Sequence, residues 1–166
     1  MNTECLSKQY IVRPLTDEDT DTVFRLCREN TLYYEYCPPF VTPDSIRRDM
    51  RALPPRKTME DKHYLGFFDG KELIAVLDLI DGYPDPETAF FGFFMTDVRT
   101  QGRGAGSRLI GEICEALKNQ GYREIRLCRV KGNPQPEAFW RKNGFSETGL
   151  SYDTNGYTAI VLRKEL

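Results

Sequence analysis

Gln101-Gly102-Arg103-Gly104-Ala105-Gly106-Ser107 places three glycines between an apolar run at residues 90–95 and the start of an amphipathic segment. A glycine-rich turn from a strand into a helix sets backbone N–H groups side by side at the positive end of the helix dipole. Phosphate groups bind well there. Arg103 adds a cation that suits a diphosphate. Two phosphate-binding patterns fail on spacing. G-x-x-x-x-G-K-[ST] needs a Gly-Lys pair five residues after Gly102, and none is there. G-x-G-x-x-G meets Ser107 in its third glycine slot, and the turn comes too late in the chain to open a dinucleotide-binding unit. The turn predicts a nucleotide-like ligand held by its pyrophosphate.

Few other side chains stand out. Asp78 alternates onto the strand face of Ile74, Val76 and Ile80, and an acid on an apolar face needs a partner or a task. It is a candidate base or relay, or a carboxylate explained by edge placement or by a plain hydrogen bond. Glu87, just before the next strand, is either a base or a solvated loop acid. His63, the only histidine, begins a strand after Lys62 and reads as a surface or hydrogen-bonded structural residue. The five cysteines are scattered, with no C-x-x-C pair, so neither a disulfide framework nor a metal site is expected. Cys27 and Cys114 fall on apolar helix faces as small core residues.

The elements that must hold these residues follow from periodicity and punctuation. A strand at residues 10–13 ends at Pro14. Thr16 caps a helix whose apolar face carries Val23, Phe24, Leu26 and Cys27. Residues 31–41 are a loop or broken helix, and Thr42-Pro43 starts a second helix ending near Pro54-Pro55. Strands at residues 64–68 and 72–80 flank Asp69-Gly70, a hairpin signal. A strand at residues 88–95 follows. A helix from Gly106 buries Leu109, Ile110, Ile113, Cys114 and Leu117, and Gly121 stops it. A strand at residues 124–130, a short helix at 136–143 and a hairpin about Asn155-Gly156 complete the chain. Strands and helices in this order predict a mixed α/β sheet with helices on its faces.

A chain of 166 residues reads as a single domain, residues 1–166, large enough for a real core. At 40% hydrophobic and 29% charged, with net charge −2, it resembles an ordinary soluble protein. No basic footprint points to nucleic acid. The first residues lack a signal peptide's apolar run and no stretch could span a bilayer, so a cytoplasmic location with no membrane partner is expected.

The turn fits Q-x-x-G-x-G as Gln101, Gly104 and Gly106. A second block follows: Asn133, then Ala138-Phe139-Trp140-Arg141-Lys142-Asn143-Gly144-Phe145, similar to an asparagine and F-Y-x-x-x-G-F pattern. Together these resemble the GNAT superfamily of acetyl-CoA-dependent N-acetyltransferases, in motifs over residues 90–145 and in element order over roughly the whole chain. The resemblance implies a mostly antiparallel central sheet with one splayed parallel strand pair that holds coenzyme A. It implies a cofactor site of Phe94, Met95 and Thr96 (backbone), Gln101, Gly102, Arg103, Gly104, Ala105, Gly106, Ser107, Asn133 and Lys142. The expected cosubstrate is acetyl-CoA and the expected function is acetyl transfer to a primary amine of a small molecule or peptide.

Such a transfer needs a deprotonated amine, a polarised thioester carbonyl and a leaving thiolate. Some members of the family carry a carboxylate in the central strand; residues 88–94 offer none, leaving Asp78 and Glu87 as candidates. Trp140 stands where many members have a tyrosine, and an indole is no general acid. Tyr152 or Tyr157 could replace it, or no acid is needed, since a thiol of pKa roughly 8.5 leaves readily. Tyr33, Tyr34, Glu35, Asp81 and Tyr83 form the expected acceptor side, suited to a small cationic amine or a lysine. A homodimer stays open. So does a non-catalytic acyl-CoA-binding module that keeps the fold and has lost the chemistry.

Overall fold

The computed structural model describes residues 1–154 and 156–166; Asn155, half of the expected Asn155-Gly156 turn, lies outside the described residues. Strands β1 (Ile11–Pro14), β2 (Lys62–Asp69), β3 (Glu72–Ile80), β4 (Thr88–Thr96), β5 (Glu124–Val130), β6 (Ser146–Asp153) and β7 (Thr158–Glu165) form one sheet in the order β1-β2-β3-β4-β5-β7-β6. Every neighbouring pair is antiparallel except β4–β5. This is the mixed sheet the element order predicts, and the mostly antiparallel one the resemblance implies.

Helices cover both faces. Thr16 and Asp19 exchange side-chain and backbone bonds in a capping box that leads into α1 (Thr20–Arg28). The aromatic stretch forms α2 (Thr31–Tyr36) and stops before Cys37-Pro38-Pro39. α3 (Pro43–Asp49) is shorter than expected. Beyond Asp49 the backbone bonds tighten to Arg51 N–H to Arg48 and Ala52 N–H to Asp49, and Pro54 bars helical geometry at Leu53. α4 (Ala105–Asn119) supplies the long amphipathic helix. α5 (Pro134–Lys142) begins two residues earlier than expected, because the Asn133 side chain accepts from Gln135 N–H at 3.1 Å and proline needs no donor in a first turn.

Two cores result. Leu109, Ile110, Ile113 and Leu117 of α4 pack against Leu65, Phe67, Leu77, Leu79, Phe91, Ile125 and Leu127. On the other side Val23, Leu26, Cys27, Ile46 and Met50 meet Tyr64, Val76 and Met95. β3 is buried on both faces, as the strand at the centre of such a sandwich must be.

Two irregularities shape the middle of the sheet. β4 and β5 pair only from Thr88↔Glu124 to Phe91↔Leu127, although both run on to Thr96 and Val130. Beyond Leu127 they splay. At that point β4 also bulges against β3: Asp78 faces Phe93 and Leu79 faces Phe91, which leaves Gly92 as the extra residue.

Candidate active site

The splay opens a cleft of about 450 Å³ between β4, β5, the glycine turn and α5. Gly102 (φ 73°) and Gly104 (φ 78°) take left-handed backbone with open space around a would-be Cβ, so the turn needs glycine for conformation rather than for room. Gly104 is the residue before α4, and its carbonyl accepts the first helical bond from Arg108 N–H at 3.0 Å. The N–H groups of the following turn therefore have no partner within the helix. Gly106 and Ser107 line the cleft at this end. Gly106 is also a close approach, since a Cβ there would come within 3.2 Å of the Phe139 ring.

Gln101 holds the turn in place. Its Nε2 donates to Asn30 Oδ1 at 2.7 Å and to the Thr96 carbonyl at 3.2 Å, while its Oε1 accepts from Gln135 Nε2 at 3.3 Å. Asn30 Nδ2 in turn donates to the Leu26 and Thr96 carbonyls. One side chain thus ties the α1–α2 junction, the end of β4 and α5 to the turn. Asn143 Nδ2 reaches Ser107 Oγ at 3.2 Å, a further tie between α5 and α4.

The walls are aromatic. Phe94 stacks on Phe139 at 6.1 Å between centroids and leans on Trp140 at 5.8 Å; Trp140 meets Phe139 and Phe145 edge-on, both at 4.9 Å. Trp140 is buried in this cluster, so the residue at the usual tyrosine position builds wall. At the opposite side Tyr33 sits edge-on to Phe93 at 5.8 Å, and Tyr157, Cys37 and Cys128 complete the lining. Burial pushes the hydroxyl pKa of Tyr33 and of Tyr157 up, with the Cys37 thiol adding to it, so both stay protonated.

Of the expected cofactor residues, Phe94, Met95, Thr96, Gln101, Gly102, Gly104, Gly106, Ser107, Asn133 and Lys142 line this one cleft. Arg103 is exposed at the tip of the turn, and neither it nor Ala105 is among the lining residues. The expected acceptor residues mostly lie elsewhere. Only Tyr33 lines the cleft. Tyr34 leans on Phe40 with the rings tilted, Glu35 is exposed on α2, Asp81 accepts from the Tyr122 hydroxyl, and Tyr83 packs edge-on to Phe90. Glu87 pairs with Arg123 at 3.1 Å at the surface, and Tyr152 is 58% exposed on β6. Asp78 has a partner after all, the buried Lys62, whose Nζ donates to both carboxylate oxygens at 2.8 Å. His63 is half-buried, and among the described residues its Nε2 has no hydrogen-bond partner.

Sequence reasoning missed Asn30, Cys37, Cys128 and Gln135. Cys128 carried one signal: it alternates with Glu124 and Arg126, on the strand face opposite Ile125 and Leu127, where a small apolar residue stands out. Asn30 carried none, because its partners lie 66 and 71 residues away.

The sequence profile of the acetyltransferase (GNAT) family matches residues 29–145. The chain belongs to the GNAT acetyltransferase family. A direct sequence comparison with curated proteins finds no match. Solved structures agree on the fold. An acetyltransferase from Thermus thermophilus is 23% identical with a TM-score of 0.74, covering 93% of this chain and 96% of that one. A spermidine N-acetyltransferase chimera of Vibrio cholerae SpeG and hSSAT is 19% identical with a TM-score of 0.70, covering 95% and 96%. The PaiA N-acetyltransferase of Thermoplasma acidophilum, solved in complex with coenzyme A, is 22% identical with a TM-score of 0.66, covering 93% and 98%. Among the described residues no helix is long and apolar enough to cross a membrane, and no cluster of three metal-ligating side chains occurs.

Proposed function

We propose that this GNAT family member transfers the acetyl group of acetyl-CoA directly to a primary amine. The observation that carries the reading is the convergence of three features on one cleft: the splay of β4 from β5, the left-handed glycines, and the N-terminus of α4. Beyond Phe91 the splay leaves β4 without a paired strand on the side facing β5, where a pantetheine arm can add like a short strand along Phe94 and Met95, with the Thr96 carbonyl already held by Asn30 and Gln101. The glycine turn and the first N–H groups of α4 suit the pyrophosphate. The aromatic wall of Phe94, Phe139 and Trp140 excludes water from the thioester.

The acceptor would approach from the side of Tyr33, Phe93 and Tyr157. No Asp or Glu is among the described residues that line the cleft. That favours an amine carried on an uncharged or aromatic arm over a polyamine, and shifts the expected acceptor away from a multiply charged cation. The test is release of free thiol from acetyl-CoA with benzylamine, spermidine, lysine and an alanine-initiated peptide. Turnover of benzylamine above spermidine is the expected result. Tight acetyl-CoA binding with no thiol released by any amine would favour the non-catalytic acyl-CoA-binding reading instead.

A further inference from the structure

Among the described residues that line the cleft none is an acid, but a carboxylate stands directly behind one point of its wall. Gly92, the bulged residue of β4, is exposed and lines the cleft. A Cβ at Gly92 would lie 2.6 Å from Asp78 Oδ2 and 3.1 Å from its carboxyl carbon. The Asp78 carboxylate fills the space that any other side chain would take. Lys62 grips it through two bonds of 2.8 Å; its own side chain is 1% exposed, whereas that of Asp78 keeps 12%. The carboxylate is fixed from behind and covered by a residue with no side chain.

We propose that Gly92 is a window through which Asp78, on the neighbouring strand, acts as the base for the acceptor amine, with Lys62 as the residue that positions it. The proposal rests on the acetyltransferase reading. An amine arriving as ammonium gives one proton to the Asp78 carboxylate. Its freed lone pair forms the C–N bond to the acetyl carbonyl carbon, the C–S bond breaks, and the departing thiolate takes a second proton from the nitrogen. The proton on Asp78 passes to solvent, so each ammonium consumed releases one proton. The groups that face Asp78 are Lys62 and Tyr64 from β2 and Asp49 from α3. Burial raises the Asp78 pKa against the pull of Lys62, and the charge of Asp49 adds to the rise. A carboxylate so placed holds a proton better than an exposed aspartate does.

A buried ion pair that serves only the fold tolerates replacement of both partners by apolar groups of similar volume. The full-length double variant Lys62→Met, Asp78→Leu therefore separates the two roles. Its fold is followed by thermal melting, its acetyl-CoA affinity by calorimetry, and its rate by thiol release with the amine that wild type turns over fastest. The expected result is a folded protein with acetyl-CoA affinity within about threefold of wild type and kcat lower by about a hundredfold or more. A folded double variant that keeps kcat within about threefold overturns the proposal. Gly92→Ala decides independently, also if the double variant does not fold. The added methyl collides with the carboxylate, so kcat falls by about tenfold or more at unchanged acetyl-CoA affinity, and an unchanged kcat overturns the window. Wild type silent with every amine overturns the transferase reading and this one with it; wild type and double variant equally active overturns this one alone.

Discussion

Tyr157 and Tyr152 are close in sequence and differ in surroundings. Tyr157 lines the cleft half-buried, whereas Tyr152 stands on β6 in solvent. A proton donor to a departing thiolate would have to reach the cleft, which of these two only Tyr157 does, and burial keeps it protonated. The thiolate of a thiol with pKa roughly 8.5 nevertheless leaves without such help. Tyr157→Phe is therefore expected to keep kcat within about fivefold in a thiol-release assay, and Tyr152→Phe to leave it unchanged; a loss near a hundredfold in Tyr157→Phe alone would make it the general acid. The acids of the Asp81–Glu87 region show what residue type leaves open. Asp81 is bound to Tyr122, Asp85 accepts from the Thr88 hydroxyl at 2.9 Å, and Glu87 pairs with Arg123. A carboxylate's chemistry depends on what already occupies it, which no residue type discloses.

At the scale of elements, what could be read from sequence was whatever local rules decide. The Asp69-Gly70 turn gave the β2–β3 hairpin, with Gly70 at φ 57°. The 3.6-residue period gave α4 with its buried Leu109, Ile110, Ile113 and Leu117. The Lys62–Asp78 pair was hidden for a definite reason. A regular hairpin continuing the Asp69↔Glu72 register would set Asp78 opposite His63 and put Lys62 on the other face of the sheet. The bulge between Phe67 and Phe68 slips the register by one, so Asp78 faces Tyr64 and Lys62 becomes its diagonal neighbour on the same face. The second bulge, at Gly92, places that carboxylate behind the cleft. Gly92 inside a strand is a local mark of the second slip, whereas the hairpin signal at Asp69-Gly70 does not disclose the first. The glycine turn was legible because it is local, whereas its clasp through Asn30 and Gln135 depends on three separate elements.

For the whole molecule, the sheet buried between two cores governs both stability and the cleft that its splay leaves open. His63 reports on the first. Burial lowers its pKa and its Nε2 has no partner, so the folded protein resists protonation where the unfolded chain accepts it. As pH falls below the ordinary histidine value of roughly 6.5, the unfolded state binds the proton first and stability drops until the lower folded pKa is reached. Asp49 and Asp78, raised by burial, act in the opposite sense, and the lowered Asp19 and Asp97 lose their stabilisation at more acid pH. Comparison with His63→Phe isolates the histidine: between about pH 7.5 and 5.5, urea titrations should show wild type losing more stability than the variant, and equal losses would contradict the assignment. The cleft is tested most directly by calorimetric titration of acetyl-CoA into wild type and Gly104→Val. Gly104 sits at φ 78° with open space around it, so valine strains the turn that presents the α4 N–H groups and crowds the pyrophosphate position. Saturable binding to wild type, weakened about tenfold or more in a variant that still melts cooperatively, is the predicted result. Equal affinity in a folded Gly104→Val protein would show that acetyl-CoA is not held at this turn.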